Sequence, residues 1–240
     1  SGMMQQNKKT RPPSTSSRDP VTTYAKGVVS GKIIAGPHVR DACRRHLDDL
    51  KNGHERGLFF DVESALRAIG FFSDVLRLNG GEYDGKPYEL LDWQAFIDGS
   101  LFGWMGHDGC RRFRTGYVET AKGSGKSPMA AGIGLYGMMA DGEAGAEIYA
   151  AATKRDQAMV LFRDAVAMVE RSPELSARII KSGTGLNVWS LAWADRRAFF
   201  RPISSDSGQS GPRPHIALLD EVHEHKDGYV LQVIEGLLNG

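Results

Sequence analysis

Between Thr120 and Ser127 the chain reads Thr120-Ala121-Lys122-Gly123-Ser124-Gly125-Lys126-Ser127, and these are the residue types that a phosphate chain requires. Against the pattern G-x-x-x-x-G-K-[ST], the second Gly, the Lys and the Ser are present, and Thr120 stands where the first Gly belongs. Gly123 and Gly125 let backbone amides come close to phosphate oxygens, and a following helix would turn its positive end toward them. Lys126 reaches the β- and γ-phosphates of a nucleotide, while the Ser127 hydroxyl is a ligand for Mg²⁺. Further along, Ile216-Ala217-Leu218-Leu219-Asp220-Glu221 is an apolar run that ends in two adjacent carboxylates. Asp220 is suited to hold Mg²⁺ through water, and Glu221 to orient and deprotonate an attacking water. A Gly-rich turn or an acid-capped strand is common alone. The two in this order point to nucleotide hydrolysis.

For this chemistry the loop must sit between a strand and a helix, with the carboxylates at the end of a neighbouring strand. Phe113 to Thr120 predicts that first strand and Ser127 to Ala140, rich in small residues, the helix. Ala146 to Ala152 is a short apolar run. Lys154 to Glu170 carries the stripe of an amphipathic helix in Ala158, Leu161, Phe162, Ala165, Val166 and Val169. Ser172 followed by Pro173 opens another helix as N-cap and first turn. Leu186 to Phe200 predicts short strands, Ile216 to Leu219 a buried strand, and Val230 to Leu238 the start of a last helix. This alternation predicts an α/β fold with a mainly parallel sheet flanked by helices on both faces. Upstream, Val39, Cys43, Leu47 and Leu50, then Val62, Leu66 and Ile69, predict two helices parted by the turn at Asn52-Gly53. Leu90, Leu91, Trp93, Phe96, Ile97 and Leu101 predict a third. Residues 1–20 are rich in Ser, Thr, Pro and basic residues, which predicts a mobile arm, and Ser1-Gly2 reads as an expression scar. The expected division is arm 1–20, helical extension 21–105 and α/β core 106–240.

Composition narrows the classes. The 240 residues hold 41% hydrophobic and 25% charged side chains, within the ordinary globular range. Thirty Lys+Arg against 29 Asp+Glu leave +1, so a broad electrostatic grip on DNA or anionic lipid is excluded as a property of the whole chain. The two cysteines, Cys43 and Cys110, form no disulfide framework and no zinc spacing, and they suit a reducing compartment. No apolar run approaches the roughly 18 residues of a membrane span, so the chain reads as soluble and intracellular.

The run from Arg112 to Gly228 resembles the ATPase region of the large terminase subunit of tailed bacteriophages. The likeness is carried by Phe113-Arg114-Thr115-Gly116-Tyr117-Val118-Glu119 before the loop and by Gly145-Ala146-Glu147-Ile148-Tyr149-Ala150-Ala151-Ala152-Thr153-Lys154-Arg155-Asp156-Gln157-Ala158 after it. Ser172-Pro173-Glu174-Leu175 and Leu219-Asp220-Glu221-Val222-His223-Glu224 continue it, and Tyr88-Glu89-Leu90-Leu91-Asp92-Trp93-Gln94 extends it upstream. The resemblance implies a RecA-like P-loop NTPase sheet with a helical N-terminal extension. ATP with Mg²⁺ would be the bound pair, and hydrolysis would drive double-stranded DNA into a procapsid. It implies that Gln94 contacts adenine, as a side-chain amide can pair with both N6 and N7. Lys122 falls where such proteins often carry an arginine sensor of the γ-phosphate. The implied partners are double-stranded DNA, a portal protein, a small terminase subunit and further copies in a ring, with no membrane. The implied location is the host cytoplasm, transiently docked on the procapsid portal. A complete subunit of this kind would continue into a nuclease domain. The stop at Gly240 reads as a fragment, without nuclease activity expected.

Other candidates are plainer. Arg155 and Arg163 could reach a neighbour's nucleotide in a ring, although a solvated helix face is the simpler reading. His223 and His225 lack a third ligand at a recognised spacing, so no structural metal is assigned. The clusters Arg111, Arg112, Arg114 and Arg196, Arg197, Arg201 fit DNA phosphates or ordinary surface. Two alternatives stay open: a helicase-like ATPase, since Asp220-Glu221-Val222-His223 fits a D-E-x-H box, and a non-hydrolysing, nucleotide-gated assembly module.

Overall fold

The structure is a computed structural model and describes residues 19–204 and 213–222. Its N-terminal region is helical. α1 (Pro20–Val29) starts because Asp19 accepts a hydrogen bond from the Val21 amide at 2.9 Å and Pro20 occupies the first turn. α2 (Pro37–Asn52) and α3 (Val62–Val75) follow, the latter capped by Asp61, which accepts from the Ser64 amide at 3.2 Å. α4 (Asp92–Gly103) packs against α1 and α3. A side chain at Gly99 would meet Val21 and Ile69, and one at Gly103 would meet Phe60 and Ala65, so these positions set how closely α4 approaches. The two-residue strands β1 (Phe59–Phe60) and β2 (Trp104–Met105) pair antiparallel.

His46 stands at the centre of this region, 3% exposed, with its ring against Phe60, Phe96 and Trp104. The Trp104 indole N–H can only donate, and it donates to His46 Nδ1 at 3.0 Å. Nε2 therefore carries the proton and donates to the Thr22 hydroxyl at 2.9 Å, and Thr22 in turn donates to Asp19. Burial pushes the imidazole down to about 4, so it is neutral here.

The α/β region begins at α5 (Lys126–Met139), followed by β3 (Glu147–Ala152), α6 (Arg155–Arg171) and the short α7 (Pro173–Ser176). Ser172 caps α7 as its type predicts, accepting from the Leu175 amide at 3.3 Å. Then come β4 (Ile180–Ser182), β5 (Ser190–Trp193), β6 (Ala198–Ser204) and β7 (Ile216–Leu219). The sheet order is β4-β5-β6-β3-β7. β3 runs parallel to both β6 and β7, whereas β4, β5 and β6 pair antiparallel. The sheet is therefore mixed rather than mainly parallel. β5 returns to β6 through a single turn at Ala194–Arg196, and a short connection of that kind joins only antiparallel neighbours.

α5 and α6 pack on the face formed by Ile148, Ala150, Phe200, Ile216 and Leu218. α5 lies close because Gly134 meets Phe200 and Leu218 and Gly137 meets Ile216 and Ile148. Among the described residues the helices that pack broadly on the sheet share this one face. On the other, Tyr149 and Phe199 meet edge to face with ring centres 5.7 Å apart, and the Arg201 guanidinium lies 4.1 Å from the Phe199 ring centre.

The strand expected over Phe113 to Thr120 does not form: the segment is irregular, and residues 114–119 are exposed, Tyr117 to 76%. Its start is tied to the helical region instead, where the guanidinium groups of Arg45 and Arg112 lie 5.2 and 4.9 Å from the Phe113 ring. The expected helix at Val230 to Leu238 and nearly all of the expected arm 1–20 lie outside the described residues. The hydrophobic core crosses the expected boundary near residue 105. Phe71 and Phe72 of α3, Leu76 just after it and Phe102 of α4 are continuous with Leu135 and Tyr136 of α5 and with Phe162 and Phe200.

Candidate nucleotide site

The loop ahead of α5 turns on two glycines in the left-handed region, Gly123 at φ 81° and Gly125 at φ 82°. Gly125 is the residue before the first turn of α5, so the loop leads directly into a helix N-terminus whose amides have no partner within the helix. Thr120, where the phosphate pattern expects glycine, meets the Ser124 hydroxyl at 2.5 Å, which closes the loop across its base. Lys122 is exposed at the tip of the loop and Ala121 is exposed beside it.

β7 brings its end to the same place. Ala151 of β3 aligns with Leu219 of β7, so both parallel strands finish at one edge, and Asp220 follows immediately. Ser127 donates a hydrogen bond to Asp220 across 93 residues of sequence. Lys126 Nζ lies 2.8 Å from Glu221 Oε1, and this contact raises the lysine's pKa, chiefly through the hydrogen bond with Glu221. Glu221 has φ 49°, one of two non-glycine residues in the left-handed region among those described, and its amide donates to the Asp220 carboxylate at 2.9 Å. Strained backbone of this kind costs of order 1 kcal/mol and concentrates at functional sites. The four residues singled out for phosphate, metal and water thus converge from two distant segments.

The donor set fits a magnesium ion. Ser127 and Asp220 supply hard oxygen ligands on adjacent elements, and Mg²⁺ usually keeps waters and substrate phosphates as its remaining ligands. Among the described residues no group of three or more His, Cys, Asp or Glu side chains could hold a metal by itself.

Gln94 is 3% exposed near the start of α4. Its Oε1 accepts from the Leu91 amide at 3.0 Å, and its Nε2 lies 3.4 Å from the place a Cβ would take on Gly125. Its side chain therefore lies against the loop at Gly125. Arg155 and Arg163 are exposed on α6, and His223 and His225 lie outside the described residues.

Asp164 was not anticipated. Burial, with Asp220 near enough to add to it, pushes this α6 carboxyl up to about 6. The signal was in the sequence as an acid between Phe162 and Ala165 on the apolar stripe. Its meaning depends on β7, which periodicity cannot bring near.

Among curated proteins no match is found. The crystal structure of the HK97 bacteriophage large terminase resembles the chain with a TM-score of 0.58 at 20% identity, over 73% of this chain and 35% of that one, a likeness that shows the fold. The chain spans about a third of that protein's length. The family model of the terminase large subunit ATPase domain matches residues 92–239, more than half of the chain and the whole of the site built above. The chain therefore belongs to the terminase large subunit ATPase domain family.

Proposed function

We propose that the chain binds Mg-ATP at the Thr120–Ser127 loop, as a P-loop NTPase, and hydrolyses it by in-line attack of water on the γ-phosphate. The observation that carries the reading is the meeting of Lys126 with Glu221 and of Ser127 with Asp220 at the end of β7. The amides of Gly123, Ser124, Gly125 and the first turn of α5 hold the phosphate chain, and Lys126 supplies positive charge to its β- and γ-oxygens. Ser127 and Asp220 would hold Mg²⁺, which would supply positive charge against the charge developing on the phosphates. Glu221 orients the attacking water and takes its proton. To do so it leaves Lys126, which then pairs with the nucleotide. Lys122, at the exposed loop tip, adds a cation that can approach the γ-phosphate.

In the assembled motor this hydrolysis would drive double-stranded DNA into a procapsid, with portal protein, a small terminase subunit and further copies in a ring as partners. It would act in the host cytoplasm while docked on the portal. The test is Glu221→Gln: turnover is expected to fall about 10²- to 10⁴-fold while calorimetric Mg-ATP binding stays within about threefold of the parent. Unchanged turnover removes Glu221 as the base, and a parent that binds Mg-ATP without turnover favours the assembly-module reading.

A further inference from the structure

We infer that His215 and Asp141 are positioning residues for hydrolysis: they clasp the far ends of α5 and β7, and so fix how these two elements bring Lys126 and Ser127 to Glu221 and Asp220. This role rests on the hydrolysis proposed above.

α5 and β7 supply the two halves of the site and lie against each other along their length. At the site end Ser127 meets Asp220 and Lys126 meets Glu221. Midway, Leu218 and Ile216 of β7 come within 2.9 and 2.5 Å of the Cβ positions of Gly134 and Gly137. These apolar contacts hold the elements close, but at the two glycines α5 offers no side chain to interlock with the strand and oppose a slide along the helix axis. At the far end a polar contact supplies that restraint. His215 Nε2 meets Asp141 Oδ2 at 2.6 Å, and Arg111 donates to the same oxygen at 2.5 Å. A carboxylate only accepts, so Nε2 carries the proton and donates.

Each member of the clasp is anchored in the backbone of the element it serves. The Asp141 amide donates to the Tyr136 carbonyl in the last turn of α5 at 3.1 Å. The His215 amide donates to the Glu147 carbonyl of β3 at 2.8 Å, so His215 already belongs to the ladder that continues as β7. Burial alone would push the Asp141 carboxyl up; the hydrogen bonds from His215 and Arg111 outweigh it and hold the group below the usual carboxylate range. At a rise of about 1.5 Å per residue, the clasp lies about 21 Å along the helix from Ser127. It is too far away to touch a nucleotide and acts through α5 and β7 alone.

The test measures steady-state Mg-ATP hydrolysis by the full chain, well below the melting temperature, for the parent, His215→Phe and His215→Gln. Phenylalanine keeps the planar bulk and removes the donor, whereas glutamine restores a donor near the place of Nε2. Asp141→Leu breaks the clasp from the other side and carries the test if His215→Phe does not fold. The broken clasp is expected to lower kcat about 10- to 100-fold with KM within about threefold, and His215→Gln to recover kcat to within about threefold of the parent. A folded His215→Phe or Asp141→Leu with a lower melting temperature and parent-like kcat overturns the inference, leaving the clasp as a stabilising contact. A glutamine variant as slow as the phenylalanine variant, or a loss that falls on KM alone, overturns it as well. A parent without turnover removes the hydrolysis reading itself, and the inference with it.

Discussion

At Gly125 two constraints meet: a φ of 82°, which side chains adopt only under strain, and the Gln94 amide 3.4 Å from the Cβ position. Replacing it with alanine costs about 1–2 kcal/mol from the backbone alone and presses on Gln94. Gly125→Ala is expected to weaken Mg-ATP binding about tenfold or more by calorimetry, and parent-like affinity would show that the loop turns equally well without this conformation. At this scale the sequence was readily interpreted. Lys126, Ser127, Asp220 and Glu221 are recognisable from residue type and order, and the structure brings them together. Two things were hidden. The Thr120–Ser124 contact needs the loop closed on itself, and the burial of Gln94 needs α4 laid under the loop, and neither follows from spacing.

α4 also buries Asp98, 0% exposed, with neither carboxylate oxygen hydrogen-bonded among the described residues. Burial pushes this carboxyl up to about 8, so the folded chain keeps a proton that the unfolded chain releases near pH 4. The stability this represents is complete below about pH 4 and declines as pH rises toward 8, by about 1.4 kcal/mol per unit. Asp98→Asn is expected to remove that decline, and urea melts between pH 5 and 8 with equal slopes in parent and variant would refute it. His46 acts with the opposite sign. Its folded value of about 4 lies below the usual 6.5, so its contribution is present above pH 6.5 and is lost as pH falls through 4. In the same melts, His46→Leu should lose less stability than the parent between pH 6.5 and 4. Among elements, α2, α3, α4 and α6 were evident because their apolar stripes repeat at helical spacing. α1 carried its own signal in Asp19-Pro20, yet the Ser- and Pro-rich residues before it obscure where order begins. The antiparallel half of the sheet was not evident, because β4 offers only three residues and strand direction leaves no mark in so short a run.

Across the whole molecule, a shared core joins the helical region and the α/β region into a single packing unit. The Phe72 ring sits where a side chain on Gly132 of α5 would otherwise be, and it meets Tyr88 edge to face with ring centres 5.0 Å apart. Phe72→Ala is expected to cost about 3–5 kcal/mol and to lower the melting temperature in a single calorimetric transition. Two resolved transitions would show instead that the regions unfold separately. Sequence punctuation placed a boundary near residue 105 because the texture of the chain changes there, but apolar residues on both sides of it share one interior. The two thiols differ as sharply. Cys43 is fully buried and its thiol is pushed up to about 11, while Cys110 is exposed in the turn between Trp104 and Arg112, where its carbonyl accepts from the Gly106 amide. A maleimide dye at neutral pH should therefore label one defined position without any cysteine being removed. The chain comes supplied with a single fluorescent address, close to the segment that leads into the phosphate loop, from which motion during a catalytic cycle could be followed.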